Sequence, residues 1–394
     1  MEYMVSIMSI KRLLKLELPS GQSAFLWGAR KTGKTTYLHQ IFPNAIFIDL
    51  LQSEIFAKYS LNPQYLRYEI LAIPEEKRAS TIIVIDEVQK IPKILDEVHW
   101  MIENIKQISF VLCGSSSRKL KSSGANLLGG RAWRYQMLPL CYQEIKETNW
   151  DKIFNRGLIP EHYYSEFASK SLSSYLYDYL INEVQLEANI RKREPFIRFL
   201  DVIALSHTEM INYTNIARDC GVNKATVKSY FEILEDMYIG YFLYPYAKRM
   251  KRQIITQIPK FYLFDIGVAN YLAKYNFNGF QGVEAGKTFE HYIFLELKAY
   301  QIMNEIRDEL FYYRDSEGHE VDFVFQNQAF EVKIRSTIIS RDIKGLLIFG
   351  QDYGMKLNVI CNADVKRIEI FGTQTVTIWP VKEFLEDLWA SKIF

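Results

Sequence analysis

The segment from Gly28 to Thr35 reads GARKTGKT and constrains this 394-residue chain more than any other feature. It fits the pattern GxxxxGK[ST], follows the strand-like run Ala24 to Trp27 and precedes a helix-like stretch. Glycines at both ends let the backbone wrap around an anion, so that N–H groups and a helix N-terminus point at phosphates. We expect Lys34 to meet the terminal phosphates of a nucleotide and Thr35 to bind Mg²⁺. The other predicted nucleotide-binding residues of this segment are Ala29, Arg30, Lys31, Thr32, Gly33 and Thr36.

A second motif follows fifty residues later, where an apolar, β-branched run from Thr81 ends in Asp86 and Glu87. The carboxyl end of a buried strand is where an α/β sheet presents ligand-binding groups. We therefore expect Asp86 to hold the Mg²⁺ hydration shell and Glu87 to polarise an attacking water. The run from Ala45 to Leu50 supplies a strand between the two motifs, which suggests the additional-strand class of NTPase with a catalytic glutamate.

Hydroxyl groups and arginines follow the next strand-like run, Ile108 to Cys113. Ser115 or Ser116 is a candidate sensor of the γ-phosphate; the alternative is that these serines cap the helix that begins near Arg118. Arg118 and Arg131 are candidate arginine fingers, and the alternative is that both are solvated surface residues. A finger at Arg131 can act on the ATP of a neighbouring subunit, so a homo-oligomer is one expected assembly.

These motifs resemble the predicted AAA-superfamily ATPases of bacteria and archaea. The resemblance is carried by Gly28 to Thr35, Asp86-Glu87-Val88-Gln89 with Pro92, Gly114 to Ser117, Gly129-Gly130-Arg131, and Leu138-Pro139-Leu140 with Glu144. It implies ATP as the nucleotide, whereas the loop alone does not exclude GTP, and no NKxD-type guanine motif is present. It also implies an N-terminal ATPase followed by a helical region and a nuclease-like C-terminal domain.

The hydrophobic pattern predicts the same organisation in three parts. Residues 1–145 alternate strand-like runs with helix-like stretches, which predicts an α/β domain with a parallel sheet. Residues 146–260 are dominated by helix-period segments such as Leu172 to Leu186. Residues 261–394 hold a long helix-like segment from Phe289 to Met303, then strand-like runs and another helix, which predicts a second α/β domain.

The middle part contains a segment that resembles a helix-turn-helix. Small Ala217 permits a close helix crossing, Gly221 permits the turn, and Val227 anchors the second helix. That helix would offer Lys224, Thr226, Lys228 and Tyr230, with Tyr238 to Tyr246 as a wing leading to the basic run 248–252. The prediction is a winged-helix-like contact with DNA phosphate, and the alternative is a packing module.

Three acidic residues and a lysine follow the order of elements in the third part. Glu331 and Lys333 are two residues apart in one predicted strand, so their side chains lie on the same face of the sheet. Asp322 on the neighbouring strand can reach the Glu331 and Lys333 side chains. This arrangement resembles the PD-(D/E)XK, or restriction-endonuclease-like, fold, with Glu290 matching its helix glutamate and Val321 standing where the motif name has proline. The resemblance implies a second Mg²⁺ site at Glu290, Asp322 and Glu331. The alternative is a nuclease-like fold kept for packing or binding.

Composition excludes other classes of protein. The cysteines Cys113, Cys141, Cys220 and Cys361 lie far apart and form no CxxC, which predicts a reducing cytoplasm and no structural zinc. No apolar run of about 18 residues occurs, so no membrane partner is expected. Lys and Arg outnumber Asp and Glu by 19 to 14 over residues 1–150, and are outnumbered 29 to 32 in the remainder.

Two hypotheses result. In the first, an ATPase couples ATP binding or hydrolysis to DNA binding or processing. In the second, the chain is a nucleotide-controlled switch whose inert nuclease-like domain binds a protein partner.

Overall fold

The structure, a computed structural model, describes residues 10–78, 81–122, 128–187, 190, 192–247 and 258–394. The chain forms two units. The first lies within Met1–Pro139, Tyr177–Arg191 and Phe231–Ile239, and the second within Leu140–Leu176, Lys192–Tyr230 and Gly240–Phe394. The segment 146–260, predicted as a separate middle part, contributes to both units.

A parallel five-stranded sheet organises the first unit. Its strands are β1 (Ser23–Trp27), β2 (Ile46–Asp49), β3 (Ile82–Asp86), β4 (Ser109–Gly114) and β5 (Ala132–Gln136). They lie in the order β2-β3-β4-β1-β5, and every neighbouring pair is parallel. The parallel sheet predicted for the N-terminal region is therefore confirmed.

The strand that separates the two nucleotide motifs differs from the one expected. The sequence pointed to the run Ala45 to Leu50, but β2 lies at the edge of the sheet, beside β3. The strand between β1 and β3 is β4, which comes later in the chain. The run does form a strand, as predicted, but not the one that lies between the strands of the two motifs, because crossover connections let the spatial order of parallel strands depart from their order in sequence.

Apolar residues on both faces of this sheet explain why its strands read as continuous hydrophobic runs. Phe25, Ile85 and Leu112 pack into one core, whereas Leu26 and Val84, which alternate with them, pack into the other. Helices of this unit cover the sheet: α1 (Lys34–Ile41), α2 (Ser53–Leu61), α3 (Gln64–Ala72), α4 (Glu75–Arg78), α5 (Ile94–Asn104) and α6 (Arg118–Ser122), with 3₁₀ turns at Val88–Lys90 and Leu128–Gly130.

Residues 142–236 form a series of mostly short helices. These are α7 (Tyr142–Ile145), α8 (Trp150–Arg156), α9 (Pro160–Tyr164), α10 (Ala168–Ser174), a π-helical stretch (Tyr175–Glu183), α11 (Val184–Glu187), α12 (Arg193–Leu205), α13 (Tyr213–Cys220) and α14 (Lys224–Asp236). The helical character predicted for this region is thus present in its described residues.

The predicted helix-turn-helix corresponds to α13 and α14. Gly221 ends α13 with φ 68°, in the left-handed region that favours glycine, and Val227 is buried as expected. Lys224 and Lys228 are exposed, whereas Tyr230 is buried and its ring centroid lies 5.2 Å from that of Phe196. The expectation that Tyr230 is offered to a partner was wrong, because it lies three residues after Val227 and so shares the buried face of the helix.

An eight-stranded mixed sheet organises the second unit. Its strands are β6 (Gly240–Pro245), β7 (Lys260–Leu263), β8 (Phe311–Arg314), β9 (Glu320–Phe325), β10 (Gln328–Lys333), β11 (Lys356–Cys361), β12 (Arg367–Phe371) and β13 (Gln374–Pro380), in the order β12-β13-β11-β10-β9-β8-β6-β7. The predicted wing coincides with β6, which pairs with β7 and β8 in this sheet. The basic run 248–252 (Lys248, Arg249, Lys251 and Arg252 around Met250) lies outside the described residues.

Helices pack against this sheet. They are α15 (Ile266–Leu272), α16 (Val283–Met303), α17 (Lys344–Tyr353) and α18 (Val381–Trp389), with a 3₁₀ turn at Ser340–Ile343. Phe294 of α16 stacks on Tyr262 at a centroid distance of 4.0 Å, while Leu346 and Phe349 of α17 pack into a separate core with Val359. Residues 261–394 are therefore α/β, as predicted.

The four cysteines are all free and buried. Among the helices of the described residues, none combines the length and apolar character that a membrane span requires.

Candidate functional site

The segment Gly28 to Thr35 connects β1 to α1 in a conformation that only its glycines permit. A Cβ atom on Gly28 would lie 2.3 Å from the carbonyl oxygen of Met137, so no larger residue fits there. Gly33 has φ 92° and precedes the first residue of α1. The backbone can therefore turn sharply into the helix N-terminus, as phosphate binding requires.

The other residues of this segment hold its shape or face outward. Ala29 and Thr32 are buried, and the Thr32 hydroxyl donates to the Ala29 carbonyl oxygen at 2.8 Å. Arg12 donates to the Thr32 carbonyl oxygen at 2.6 Å and so braces the loop from the preceding segment. Lys31 is exposed, and Thr36 is half-buried in the first turn of α1.

Lys34 is buried, with 6% of its surface exposed. Its ammonium group donates to the carbonyl oxygens of Gly28 and Ala29, at 2.8 and 2.9 Å. Both acceptors are neutral, and no carboxylate of the described residues forms an ion pair with Lys34. A buried ammonium without a carboxylate partner is suited to bind an anion.

Thr35 and Asp86 meet at the ends of the two nucleotide motifs. The Thr35 hydroxyl donates to Asp86 Oδ2 at 2.6 Å, and Asp86 Oδ1 accepts the main-chain N–H of Glu87 at 2.9 Å. A hydroxyl and a carboxylate are hard oxygen ligands, and Mg²⁺ in nucleotide sites needs only one or two carboxylates, because water and phosphate complete its shell. These two residues therefore fit the predicted Mg²⁺ site.

Glu87 is buried and held by three side chains. Gln89 Nε2 donates to Glu87 Oε2 at 2.6 Å, the Ser115 hydroxyl lies 3.4 Å from the same oxygen, and Arg30 Nη2 lies 3.7 Å from it. Glu87 has φ 57°, a left-handed conformation that costs about 1–3 kcal/mol in a residue other than glycine. Strain of this kind is typical of a residue whose position serves function.

Arg30 connects Glu87 to a more distant segment of the same unit. Its Nε lies 2.6 Å from Glu183 Oε2, and its guanidinium lies 5.6 Å from the centre of the Tyr179 ring. The orientation of Arg30 near Glu87 is therefore fixed from outside the loop.

The remaining predicted residues of this unit separate into two groups. Ser116 accepts the N–H of Arg118 at 3.2 Å, in agreement with the capping alternative, whereas Ser115 lies at Glu87. Arg118 forms an ion pair with Asp236 at 3.2 Å, and Arg131 forms one with Glu103. The structure thus brings Ser115 to the proposed base and directs both arginines to other carboxylates.

A second acidic cluster lies in the C-terminal α/β region. Glu331 Oε1 accepts from Lys333 at 2.5 Å, and Asp322 Oδ2 accepts the N–H of Val332 at 2.7 Å. The other Glu331 oxygen, Oε2, is buried without a hydrogen-bond partner. Burial, followed by the Asp322 carboxylate, raises the pKa of Glu331 above its usual value.

Glu290, the third predicted metal ligand, is bound by residues that the sequence did not single out. Its Oε1 accepts from Tyr262 at 2.7 Å and from Lys260 at 3.3 Å. Lys260 also lies 2.5 Å from Glu320 Oε1. Burial lowers the pKa of Lys260, but Glu290 and the neighbouring carboxylates outweigh it, so the pKa lies above its usual value. Lys260 therefore carries its charge.

The predicted metal set of this cluster does not fit a divalent ion. Glu290 faces Lys260 and Tyr262, and Glu331 faces Lys333. Across the described parts of the chain, no three His, Cys, Asp or Glu side chains are grouped so that they could hold a metal ion. The residues that resemble a nuclease site are together in space, but ammonium groups occupy the positions next to their carboxylates.

Comparison with known families divides the chain into three segments. Residues 20–146 match the model of an AAA domain. Residues 147–278 match a domain of unknown function, DUF8612, and residues 285–384 match another, DUF4143. Residues 20–146 are therefore similar to AAA domains. This similarity supports an ATPase-like function for the part of the chain that holds the loop and the two carboxylates.

The chain is also similar to archaeal proteins. It is 22% identical over 381 residues to the uncharacterized protein MJ1544 of Methanocaldococcus jannaschii, covering 85% of this chain and 80% of that one. Its structure is similar to the Walker-type ATPase PABY2304 of Pyrococcus abyssi, with a TM-score of 0.40, 14% identity, and 64% and 90% of the two chains covered. A signal transduction ATPase with a tetratricopeptide repeat sensor, PH0952 of Pyrococcus horikoshii, gives a TM-score of 0.22 at 14% identity, over 74% of this chain and 47% of that one.

Proposed function

We propose that this chain is a Mg²⁺-dependent ATPase that couples ATP binding or hydrolysis to DNA binding or processing through its C-terminal half. The observation that carries the ATPase part is the 2.6 Å contact between Thr35 and Asp86. It joins the loop that carries Lys34 to the strand end that carries Glu87. Residues that can bind Mg²⁺, bind phosphate and accept a proton therefore lie in one site. The match of residues 20–146 to an AAA domain supports ATP as the nucleotide.

Each residue has a role in this proposal. Lys34 and the main-chain N–H groups at the start of α1 bind the phosphates. Thr35 and Asp86 would hold Mg²⁺, which neutralises phosphate charge when bound. Glu87 accepts a proton from the water whose oxygen attacks the γ-phosphorus as the bond to the β-phosphate oxygen breaks.

Three further residues assist these groups. Gln89 and Ser115 orient Glu87 through their contacts with its carboxylate. Arg131, or alternatively Arg118, would supply a finger to the ATP of a neighbouring subunit. In that case turnover per chain rises with protein concentration, and turnover strictly proportional to concentration would contradict it.

The DNA part of the proposal rests on the second helix of the helix-turn-helix. Lys224 and Lys228 are exposed on α14, one turn apart, where they can meet phosphates on the same side of the helix. A binding contribution of this kind weakens as salt rises, because counterions compete for the phosphates. DNA binding measured at about 50 and 200 mM salt by mobility shift tests it, with Lys224→Ala/Lys228→Ala as the variant.

A second candidate is a nucleotide-controlled switch whose nuclease-like region binds a protein partner and does not cleave. The contacts of Lys260 with Glu290 and Glu320 favour it. Nicking of plasmid DNA that requires Mg²⁺ and is lost in Asp322→Ala would argue against this candidate.

Steady-state ATP hydrolysis, with and without duplex or single-stranded DNA, tests the proposal as a whole. Lys34→Ala supplies the background rate. We expect Mg²⁺-dependent turnover that disappears in Lys34→Ala and rises with DNA. If DNA leaves turnover unchanged, the ATPase part of the proposal stands and the nucleotide-controlled switch replaces the DNA part. Wild-type turnover equal to that of Lys34→Ala would contradict the ATPase part.

A further inference from the structure

A cluster of buried and half-buried charged side chains in the second unit is formed by Glu290, Glu320, Asp322, Glu331, Lys260 and Lys333. Lys260 is its most enclosed cation, with 2% of its surface exposed. It begins strand β7, whose neighbour in the sheet is β6. A lysine is almost never buried to this extent unless carboxylates surround its ammonium group.

Lys260 meets two carboxylates from different elements. Its Nζ lies 2.5 Å from Glu320 Oε1 on β9 and 3.3 Å from Glu290 Oε1 on helix α16. The ammonium also lies 5.3 Å from the centre of the Tyr312 ring. Lys260 thus binds the helix glutamate and a sheet glutamate simultaneously, which is the bridging position that a metal ion would take between these elements.

Each of these carboxylates also contacts one further donor. Tyr262 donates to Glu290 Oε1 at 2.7 Å, and Arg314 lies 2.9 Å from Glu320 Oε2. A divalent ion entering between the two glutamates would have to displace Lys260, because a metal ion and an ammonium group repel each other at contact distance.

We infer that Lys260 is the resident cation of this cluster and closes it to divalent metal ions, so the C-terminal region has the residues of a nuclease site without its metal dependence. The inference rests on the second candidate function above and gives its physical cause. It leaves binding of DNA or protein open to this region and excludes Mg²⁺-dependent cleavage. It also identifies one side chain whose removal would open a metal site.

Mn²⁺ binding to the full-length protein without nucleotide tests this inference. The free Mn²⁺ signal in electron paramagnetic resonance gives the bound ion, and every sample carries Asp86→Asn to remove a contribution from the N-terminal domain. Wild-type sequence at position 260 is compared with Lys260→Met, and Lys344→Met, an exposed lysine of the same unit, is the matched control.

We expect Lys260→Met to bind one Mn²⁺ at this cluster with a dissociation constant at least about tenfold lower than that of the parent or of the Lys344→Met control. This is a difference of about 1.4 kcal/mol in binding free energy. Adding Glu290→Gln to Lys260→Met should remove that ion. Lys260→Gln, which keeps a polar side chain, should give the same result if the methionine variant fails to fold.

Two results would overturn the inference. One is Mn²⁺ binding by the parent that Asp322→Asn abolishes, which needs no variant at position 260. The other is a folded Lys260→Met or Lys260→Gln protein whose Mn²⁺ binding equals that of the parent. ATP turnover measured separately, in chains with Asp86 intact, distinguishes these outcomes from a failure of the ATPase proposal.

Discussion

Two buried lysines in this chain have opposite surroundings. Lys34, in the first unit, donates to two neutral main-chain carbonyl oxygens, whereas Lys260, in the second unit, contacts two carboxylates. Each lysine lies near residues that the sequence predicted as Mg²⁺ ligands, Thr35 next to Lys34 in the chain and Glu290 in contact with Lys260. The difference in partners means that the charge of Lys34 is available to a phosphate and the charge of Lys260 is already neutralised.

The carboxylates of the two sites differ in the same way. Asp86 accepts from a hydroxyl and a main-chain N–H, which are neutral donors that a metal ion can supplement. Glu290 accepts from an ammonium, which a metal ion must replace. Acidic residues at strand ends therefore do not define a metal site by themselves, because the cations that the fold brings to them decide what they can bind.

The largest effect expected from this comparison is on ATP turnover in Lys34→Met. Removing the ammonium should lower kcat by about 1000-fold, because a buried charge that stabilises phosphate in the transition state is lost. Steady-state release of inorganic phosphate measures it. Lys106→Met, an exposed lysine of the same unit, should retain the parent rate. Retention of more than about a tenth of kcat in Lys34→Met would remove the functional distinction between the two lysines.

Glu87→Gln should reduce turnover about 100-fold while leaving ATP affinity close to that of the parent. The amide keeps the size of the side chain but cannot accept the proton of the attacking water. Equilibrium binding of a fluorescent ATP analogue, beside turnover, separates the two quantities. A loss of affinity that matches the loss of turnover would instead assign Glu87 to nucleotide binding, and Gln89→Ala should give a smaller loss of turnover in the same direction.

How much of this could be predicted from the sequence depends on the range of the interactions. The loop Gly28 to Thr35 is local, so spacing alone indicated its residues, and the parallel sheet followed from buried runs on both faces. The strand between β1 and β3 was misassigned, since spatial order is set by crossovers. The fold also contributed Arg12, which no motif marks, and the contact with Glu87 of Gln89, a residue that the sequence motif contains but to which it assigned no role.

The same limit explains why Lys260 was missed. It stands 30 residues before Glu290 and 60 before Glu320, and no short motif contains all three. Only the pairing of strands across the second sheet brings it to the cluster. The residues that resemble a nuclease site could therefore be identified from the order of local elements, whereas the contact with Lys260 depends on long-range packing.

The stability of the second unit should depend on Lys260 much more than that of the first depends on Lys34. Lys260→Met removes the cation of Glu290 and one of the two cations of Glu320, which keeps Arg314, and this costs at most about 3–5 kcal/mol. Hydrogen exchange measured over β7 and α16 should report a corresponding loss of protection, and Lys34→Met should leave protection of β1 nearly unchanged. Replacing Glu290 and Glu320 by Gln in Lys260→Met should restore most of the protection. Persistence of the loss in that variant would indicate a packing defect.

The smallest effect concerns Glu296, which lies on α16 with Glu290 but has only neutral donors. It is buried, and its two oxygens accept the N–H of Tyr142 and the indole N–H of Trp389, both at 2.8 Å. Burial, the largest cause, raises the pKa of Glu296 to about 7. A carboxyl whose pKa is raised on folding contributes stability below its unfolded pKa and loses that contribution as the pH rises through about 7.

Glu296→Gln cannot ionise, so its unfolding free energy should lack this pH dependence. The stability of the parent relative to Glu296→Gln should therefore fall between pH 5 and pH 8, by at most about 3 kcal/mol. Thermal or urea unfolding of both proteins in matched buffers measures the difference, in which other titrating groups cancel. A constant difference across this range would mean that Glu296 stays charged in the folded chain. In that case neutral donors alone would suffice to hold a buried carboxylate on α16.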